Sequence, residues 1–299
     1  MRLYGLPVSR ATATGGLAIL LWSSLAALAV VTRRLPPFET LALSFAIAFA
    51  AGLVMLAARR RLARLRQDWR AWALGFAGIF AYHAFYFIAL DQAPAAEASL
   101  INYLWPLLIV LFSALLPGER LRARHVAGAT IGLAGTALIV LAGVGAAGRG
   151  SALGYACAFA AALTWAAYSV ANRRLRAVPS DLIAGVSGLV ALAAALVHLA
   201  VEPSIAPRGG EWMALLGLGL GPVGLAFFFW DHATKHGDLA ALGTLSYATP
   251  LLSTGLLIVC GEARAGAALV LAAALIVGGA AVSVGLPRLI PPAASNPSR

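Results

Sequence analysis

The stretch Ile101-Asn102-Tyr103-Leu104-Trp105-Pro106 is answered 144 residues downstream by Leu245-Ser246-Tyr247-Ala248-Thr249-Pro250. Tyr and Pro keep their spacing in both, and each segment lies inside a long apolar run. Working outward, other landmarks meet at nearly the same offset. Trp22 aligns with Trp165, each followed by Arg-Arg-Leu, and Phe85-Tyr86 aligns with Phe229-Trp230. Gly118-Glu119 aligns with Gly261-Glu262. Chance similarity between Ala-rich segments does not hold several such pairs in register, so the chain reads as a tandem duplication.

Composition says what is duplicated. Hydrophobic residues make up 61% of the chain and charged residues 11%, against about 25% charged in a soluble domain. Such a chain cannot cover its surface with polar groups, so lipid is its solvent. A bilayer core needs about 20 apolar residues per helix. Ten runs qualify: 13–32, 38–58, 71–91, 95–116, 123–143, 151–172, 181–201, 211–234, 239–260 and 265–286. The expected fold is all-α and integral to the membrane, with repeats at 13–143 and 151–286 and a flexible Pro/Ser-rich cytoplasmic tail at 287–299. The first run has the flanks of a signal peptide, but its near-full length and its counterpart in the second half mark it as the first helix.

The net charge of +11 would point to nucleic acid in a soluble protein. Here most of it sits in short loops, where it sets topology and implies no nucleic-acid partner. With the N-terminus inside, 17 Lys and Arg fall in cytoplasmic segments and 5 in outer loops. Both termini are therefore expected in the cytoplasm, the membrane being a bacterial inner membrane. Five helices per repeat is an odd number, so the second repeat enters upside down. Inverted repeats let one half close as the other opens, with the solute site near the midplane between them.

The Gly-Glu pairs and the run Gly128-x-x-x-Gly132-x-x-Gly135 resemble the drug/metabolite transporter superfamily in its ten-helix form with two EamA-type repeats. That resemblance spans nearly the whole chain. The hexapeptide at Ile101–Pro106 further resembles aromatic amino-acid exporters of the YddG type. It implies a secondary transporter that exports aromatic and other bulky apolar amino acids by alternating access. Thr249 and Ala248 stand where the first repeat has Trp105 and Leu104, so the halves have diverged.

Two sets of residues are placed to handle a solute. Pro106 and Pro250 lie well inside their spans, where a proline kinks a helix and leaves the carbonyl four residues earlier without its donor. The freed acceptors, on Asn102 and Ser246, would flank a cavity and suit an ammonium group; a kink satisfied by neighbouring helices is the alternative. Mid-span rings form the second set: Trp22, Tyr82, Tyr86, Tyr103, Trp105, Trp165, Tyr168, Phe227, Trp230 and Tyr247. Trp69, Trp72 and Trp212 instead begin spans, where aromatic side chains anchor helix ends. Of the polar groups at depth, Asn102 and Ser246 are expected to bind solute. So is His83, which is either a proton-coupling site or a hydrogen-bonded core residue.

Other signals narrow the function. No P-loop, HExxH or GxSxG motif is present, so the sequence offers no ATP or catalytic machinery and no cofactor is expected. Asp91, Glu97 and Asp231 lie near span ends, where water would solvate them; Glu119 and Glu262 read as loop ties. Without a mid-span carboxylate, facilitated or weakly coupled transport is expected; proton-coupled export of other metabolites or cationic drugs is the competing reading. Cys157 and Cys260 fit no metal spacing. Gly128-x-x-x-Gly132 and Gly278-Gly279 permit close helix packing, within one chain or between two protomers of a homodimer.

Overall fold

The computed structural model describes residues 2–3, 6–7, 9–117, 121–142, 151–261 and 266–284. Gly118, Glu119, Glu262 and the 287–299 tail lie outside them. Apart from a two-residue ladder joining Arg2–Leu3 to Leu6–Pro7, the described structure is helical.

The helices are α1 (Arg10–Ser23), α2 (Leu25–Thr32), α3 (Pro37–Ala58), α4 (Trp69–Gln92), α5 (Ala95–Asn102), α6 (Trp105–Ser113) and α7 (Ala123–Ala142). They continue with α8 (Ala152–Ala171), α9 (Leu182–Val201), α10 (Gly209–Leu220), α11 (Ala226–His236), α12 (Leu239–Leu245), α13 (Ala248–Val259) and α14 (Ala267–Val284). α1–α2, α5–α6, α10–α11 and α12–α13 each form one interrupted rod, which makes ten rods starting and ending within a few residues of the expected spans. Among the described residues seven are long and apolar enough to cross a membrane, and Glu97–Ser113 and Ala267–Ser283 are shorter apolar helices. Their outward faces carry exposed Val54, Leu199, Val201 and Val259. The chain is a multi-pass membrane protein.

Local chemistry sets the boundaries. Ser9, Ser151 and Asp238 cap α1, α8 and α12 by accepting the N–H groups of Thr12, Gly154 and Ala241 at 3.1, 3.0 and 3.0 Å, which meets donors a helix start leaves open. The α1–α2 break falls at Ser23-Ser24, whose hydroxyls donate back to the carbonyls of Ile19 and Leu21 at 2.8 and 2.7 Å. Such back-bonding bends helices. Between α10 and α11, Gly221–Leu225 forms a π-helical turn with Pro222 within it.

The two prolines act differently from the expectation. α5 stops at Asn102 and α6 restarts at Trp105, so Pro106 sits in a first turn; Pro250 likewise falls in the first turn of α13. A missing N–H costs little there. The carbonyl of Ser246 is not free, because it accepts the Thr249 N–H at 3.0 Å. A break, rather than a kink in a continuous helix, is how the chain accommodates both prolines.

The rods pair across the two halves of the sequence: α7 with α14, α3 with α9, α4 with α8, α1 with α11 and α6 with α12. The α7–α14 crossing is a backbone contact within one chain. A Cβ on Gly128 would strike the Gly279 carbonyl, one on Gly132 would lie 2.7 Å from Tyr247 Cδ2, and one on Gly135 2.9 Å from the Ala272 carbonyl. Gly278 faces open space.

Opposite ends of the bundle are tied separately. At one end Thr12 Oγ1 accepts the Asp238 N–H at 3.0 Å, and Arg64 pairs with Asp181 at 2.8 Å. At the other, Arg34 grips Glu211 with two N–H donors at 2.9 and 2.6 Å. Nearby, the Glu202 carboxylate accepts the N–H groups of Phe38 and Glu39 at 3.1 and 3.2 Å.

Candidate functional site

A cavity of about 320 Å³ lies between α1–α2, α4, α5–α6, α8, α13 and the π-helical turn with α11. Nine of the sequence-predicted residues line it: Trp22, Tyr82, His83, Tyr86, Asn102, Tyr103, Trp105, Trp165 and Phe227. Four predicted residues lie elsewhere. Trp230, fully buried, backs the wall against Trp22 at 5.0 Å between ring centroids. Tyr168 sits behind Trp165 at 5.4 Å and presses on Gly78. The Ser246 hydroxyl donates to the Leu242 carbonyl at 2.7 Å, and Tyr247 is buried over Gly132.

The apolar wall is a cluster of rings held edge to face. Trp22 stands 6.4 Å from Trp105, 5.7 Å from Trp165 and 6.0 Å from Phe227, each pair steeply inclined. Edge-to-face packing sets positive ring edges on negative faces and holds these side chains in place without any solute. Trp22 is fixed further by its indole N–H, which donates to the Pro222 carbonyl at 3.0 Å. Extra-residue turns of the π type recur at functional sites, and here the turn brings a backbone acceptor to the cavity.

The adjoining wall is polar. Tyr86 and Ser99 share a hydrogen bond at 3.0 Å, and Asn102 Nδ2 donates to the Tyr82 hydroxyl at 3.3 Å. One ring nitrogen of His83 is engaged with the Ile79 carbonyl at 2.7 Å, and its ring packs on Tyr82 and Phe45. Asn102 Oδ1 and Thr249 Oγ1 are buried and have no hydrogen-bond partner in the protein. An unmet buried polar atom costs about 1–3 kcal/mol. Among the described residues no Asp, Glu, Lys or Arg lines the cavity.

The half of the bundle near Thr12 is closed beneath it. A Cβ on Gly15 would strike Leu242, and one on Gly243 would lie 2.7 Å from the Pro106 carbonyl. Leu25, Ala26, Ser99 and Ser253, on the far side of the breaks, complete the lining. Sequence reasoning missed these four, together with Pro222, Val223 and Thr249. Ser99 had a signal, being three residues before Asn102 on the same helical face. The π turn had none, since neither a period of 3.6 nor a period of 2 describes it.

The charged residues also fall differently from the expectation in one respect. Asp231 is 3% exposed, not solvated at a span end. It accepts from Lys235 Nζ at 2.8 Å and from Asn172 Nδ2 at 3.0 Å, and Lys235 Nζ also donates to the Val178 carbonyl at 3.0 Å. The Asn-Arg-Arg turn after α8 closes over α11 and shuts water out. Asp91 is exposed beside Gln92, and Glu97 accepts the hydroxyl of Tyr155. Trp69 and Trp212 are exposed at helix starts, whereas Trp72 packs on Gly185. Cys157 is buried, Cys260 is exposed, and both are free thiols. Among the described residues no group of His, Cys, Asp and Glu could hold a metal ion.

Comparison with known proteins supplies the context for this cavity. The profile of the EamA-like transporter family matches twice, over residues 13–141 and 152–285. The aromatic amino acid exporter YddG of Ancylobacter novellus is 53% identical over 285 residues, covering 94% of this chain and 99% of that protein. The Escherichia coli protein of the same name is 27% identical over 265 residues, covering 83% and 87%. A solved crystal structure at 52% identity superposes with a TM-score of 0.88, over 92% of this chain and 97% of the other.

Proposed function

The chain belongs to the EamA-like transporter family, and from that premise we propose that it exports aromatic and other bulky apolar amino acids across a bacterial inner membrane by alternating access. One observation carries the reading: an uncharged cavity of about 320 Å³ walled by Trp22, Trp105, Trp165 and Phe227. That volume is at the small end of ligand pockets, about 300–1,000 Å³, and suits a single amino acid. Flat rings stack on such walls with modest energy, about 0.5–1.5 kcal/mol per pair beyond area burial, so they are held and released. The relatives named as aromatic amino acid exporters support the same cargo.

Alternating access rests on two inverted repeats, 13–143 and 151–286. The rod pairings support it, because exchanging each rod for its counterpart in the other half turns the set of pairings into itself. The breaks at Tyr103-Leu104 and Ser246-Tyr247 fall within one residue of equivalent positions in the two halves. With both termini cytoplasmic, the cavity lies in the outer half and the cytoplasmic half is sealed. The wall carries no fixed charge, which favours facilitated or weakly coupled movement of a net-neutral solute. It also disfavours quaternary cationic drugs, whose charge has no N–H to donate to the wall and would face no carboxylate.

Purified protein in liposomes, offered radiolabelled phenylalanine, threonine, a nucleotide sugar and a quaternary cation, tests the proposal. Phenylalanine should be taken up best. Flux confined to the cation or the sugar would overturn it.

A further inference from the structure

We propose that Asn102 and Thr249 together receive the ammonium group of the transported amino acid and so set the requirement for an amine on the solute. The inference rests on the amino-acid reading above and assigns its polar contacts. Asn102 is 4% exposed, and its Nδ2 is committed to Tyr82, which leaves Oδ1 as the atom without a partner. Thr249 Oγ1 is the other unmet oxygen on the cavity wall among the described residues, while the remaining unmet side-chain atoms lie away from the cavity.

These two acceptors come from two of the four interrupted rods, at the last residue of α5 and in the first turn of α13. The carboxyl end of α5 adds partial negative charge beside Asn102. An ammonium group brings three donors and no acceptor. It therefore suits Asn102 Oδ1, which can only accept and would repel a carboxylate, and the Thr249 hydroxyl, which accepts as well as donates; no Lys or Arg on the wall calls for a carboxylate. The solute ring then lies toward Trp22 and Trp165.

The test uses the full chain in lipid nanodiscs and competition against radiolabelled phenylalanine. Phenethylamine keeps the ammonium and lacks the carboxylate; 3-phenylpropionate does the reverse. Losing one charge-assisted hydrogen bond is worth roughly ten- to a hundredfold in affinity. Phenethylamine should thus compete at least about tenfold better than 3-phenylpropionate. Asn102→Asp should widen that preference, and Thr249→Val and Asn102→Leu should weaken phenylalanine binding about tenfold or more. Retained binding of indole, which has neither charged group, shows that each variant is folded. Equal competition by the two half-ligands, or variants that bind phenylalanine as the unaltered chain does, would overturn the assignment and leave amino-acid export standing. An unaltered chain that binds indole but neither phenylalanine nor phenethylamine would sink both.

Discussion

Trp22 shows how a single residue serves both wall and scaffold. Its ring touches Trp105, Trp165, Phe227 and Trp230, and its N–H holds the carbonyl of Pro222 across 200 residues of sequence. The two roles separate by substitution. Trp22→Phe keeps a ring and removes the hydrogen bond, typically about 1 kcal/mol, so phenylalanine flux should fall by about fivefold. Trp22→Ala also removes the ring, and its apparent KM should rise by a further order of magnitude. Initial-rate uptake into liposomes measures both, and equal losses in the two variants would show that the ring itself contributes nothing. The position of Trp22 was legible in sequence because a mid-span Trp matched another at the repeat offset. Its partner Pro222 was not, since backbone carbonyls leave no mark in a sequence.

At the level of elements, the α7–α14 crossing and the α8–α11 junction depend on opposite chemistry. Gly128 and Gly279 allow backbones to touch, so Gly128→Val should force the helices apart and lower the melting temperature in detergent by several degrees. Unchanged melting would mean that the crossing is looser than the geometry implies. At the α8–α11 junction, Asp231 and Lys235 form a pair whose side chains are 4% and 2% exposed. Breaking a buried pair costs about 3–5 kcal/mol, because one charge is left without compensation, whereas replacing both is often near neutral. Lys235→Met alone should therefore be the least stable variant. Asp231→Asn with Lys235→Met should regain much of the loss. Melting curves of the single and double variants form the cycle; strictly additive losses would refute the coupling. Sequence placed Asp231 near water because it counts distance along one helix and not what a neighbouring turn covers.

For the whole molecule, the proposed inversion and the sealed end make separate predictions. In a background of Cys157→Ala and Cys260→Ser, Gly210→Cys and His236→Cys, both at exposed positions, should react with an impermeant maleimide from opposite sides of the membrane. Labelling from one side would end the inverted-repeat reading. The Thr12–Asp238 contact ties together the end of the bundle beneath the cavity. Crosslinking Thr12→Cys to Asp238→Cys should lower phenylalanine flux to background, and a reductant should restore it. Full flux in the crosslinked protein would show that this end does not open during transport.

Composition and repeat spacing by themselves determined the membrane environment, the ten helical rods and the neighbourhood of the site, because bilayer thickness and the helical period leave few other solutions for runs this apolar. Nine of the thirteen expected binding residues line the cavity, each from a rod whose mid-span depth the sequence already fixed. Only the tertiary structure decided which rings face the space and which back it, since burial on a helix face depends on the partner rod. It alone broke the helices at Tyr103-Leu104 and Ser246-Tyr247, gave the Ser246 carbonyl a donor, and left Asn102 and Thr249 with none. Hydrogen-bond satisfaction is a property of distances between remote segments, and those distances exist only once the rods have packed.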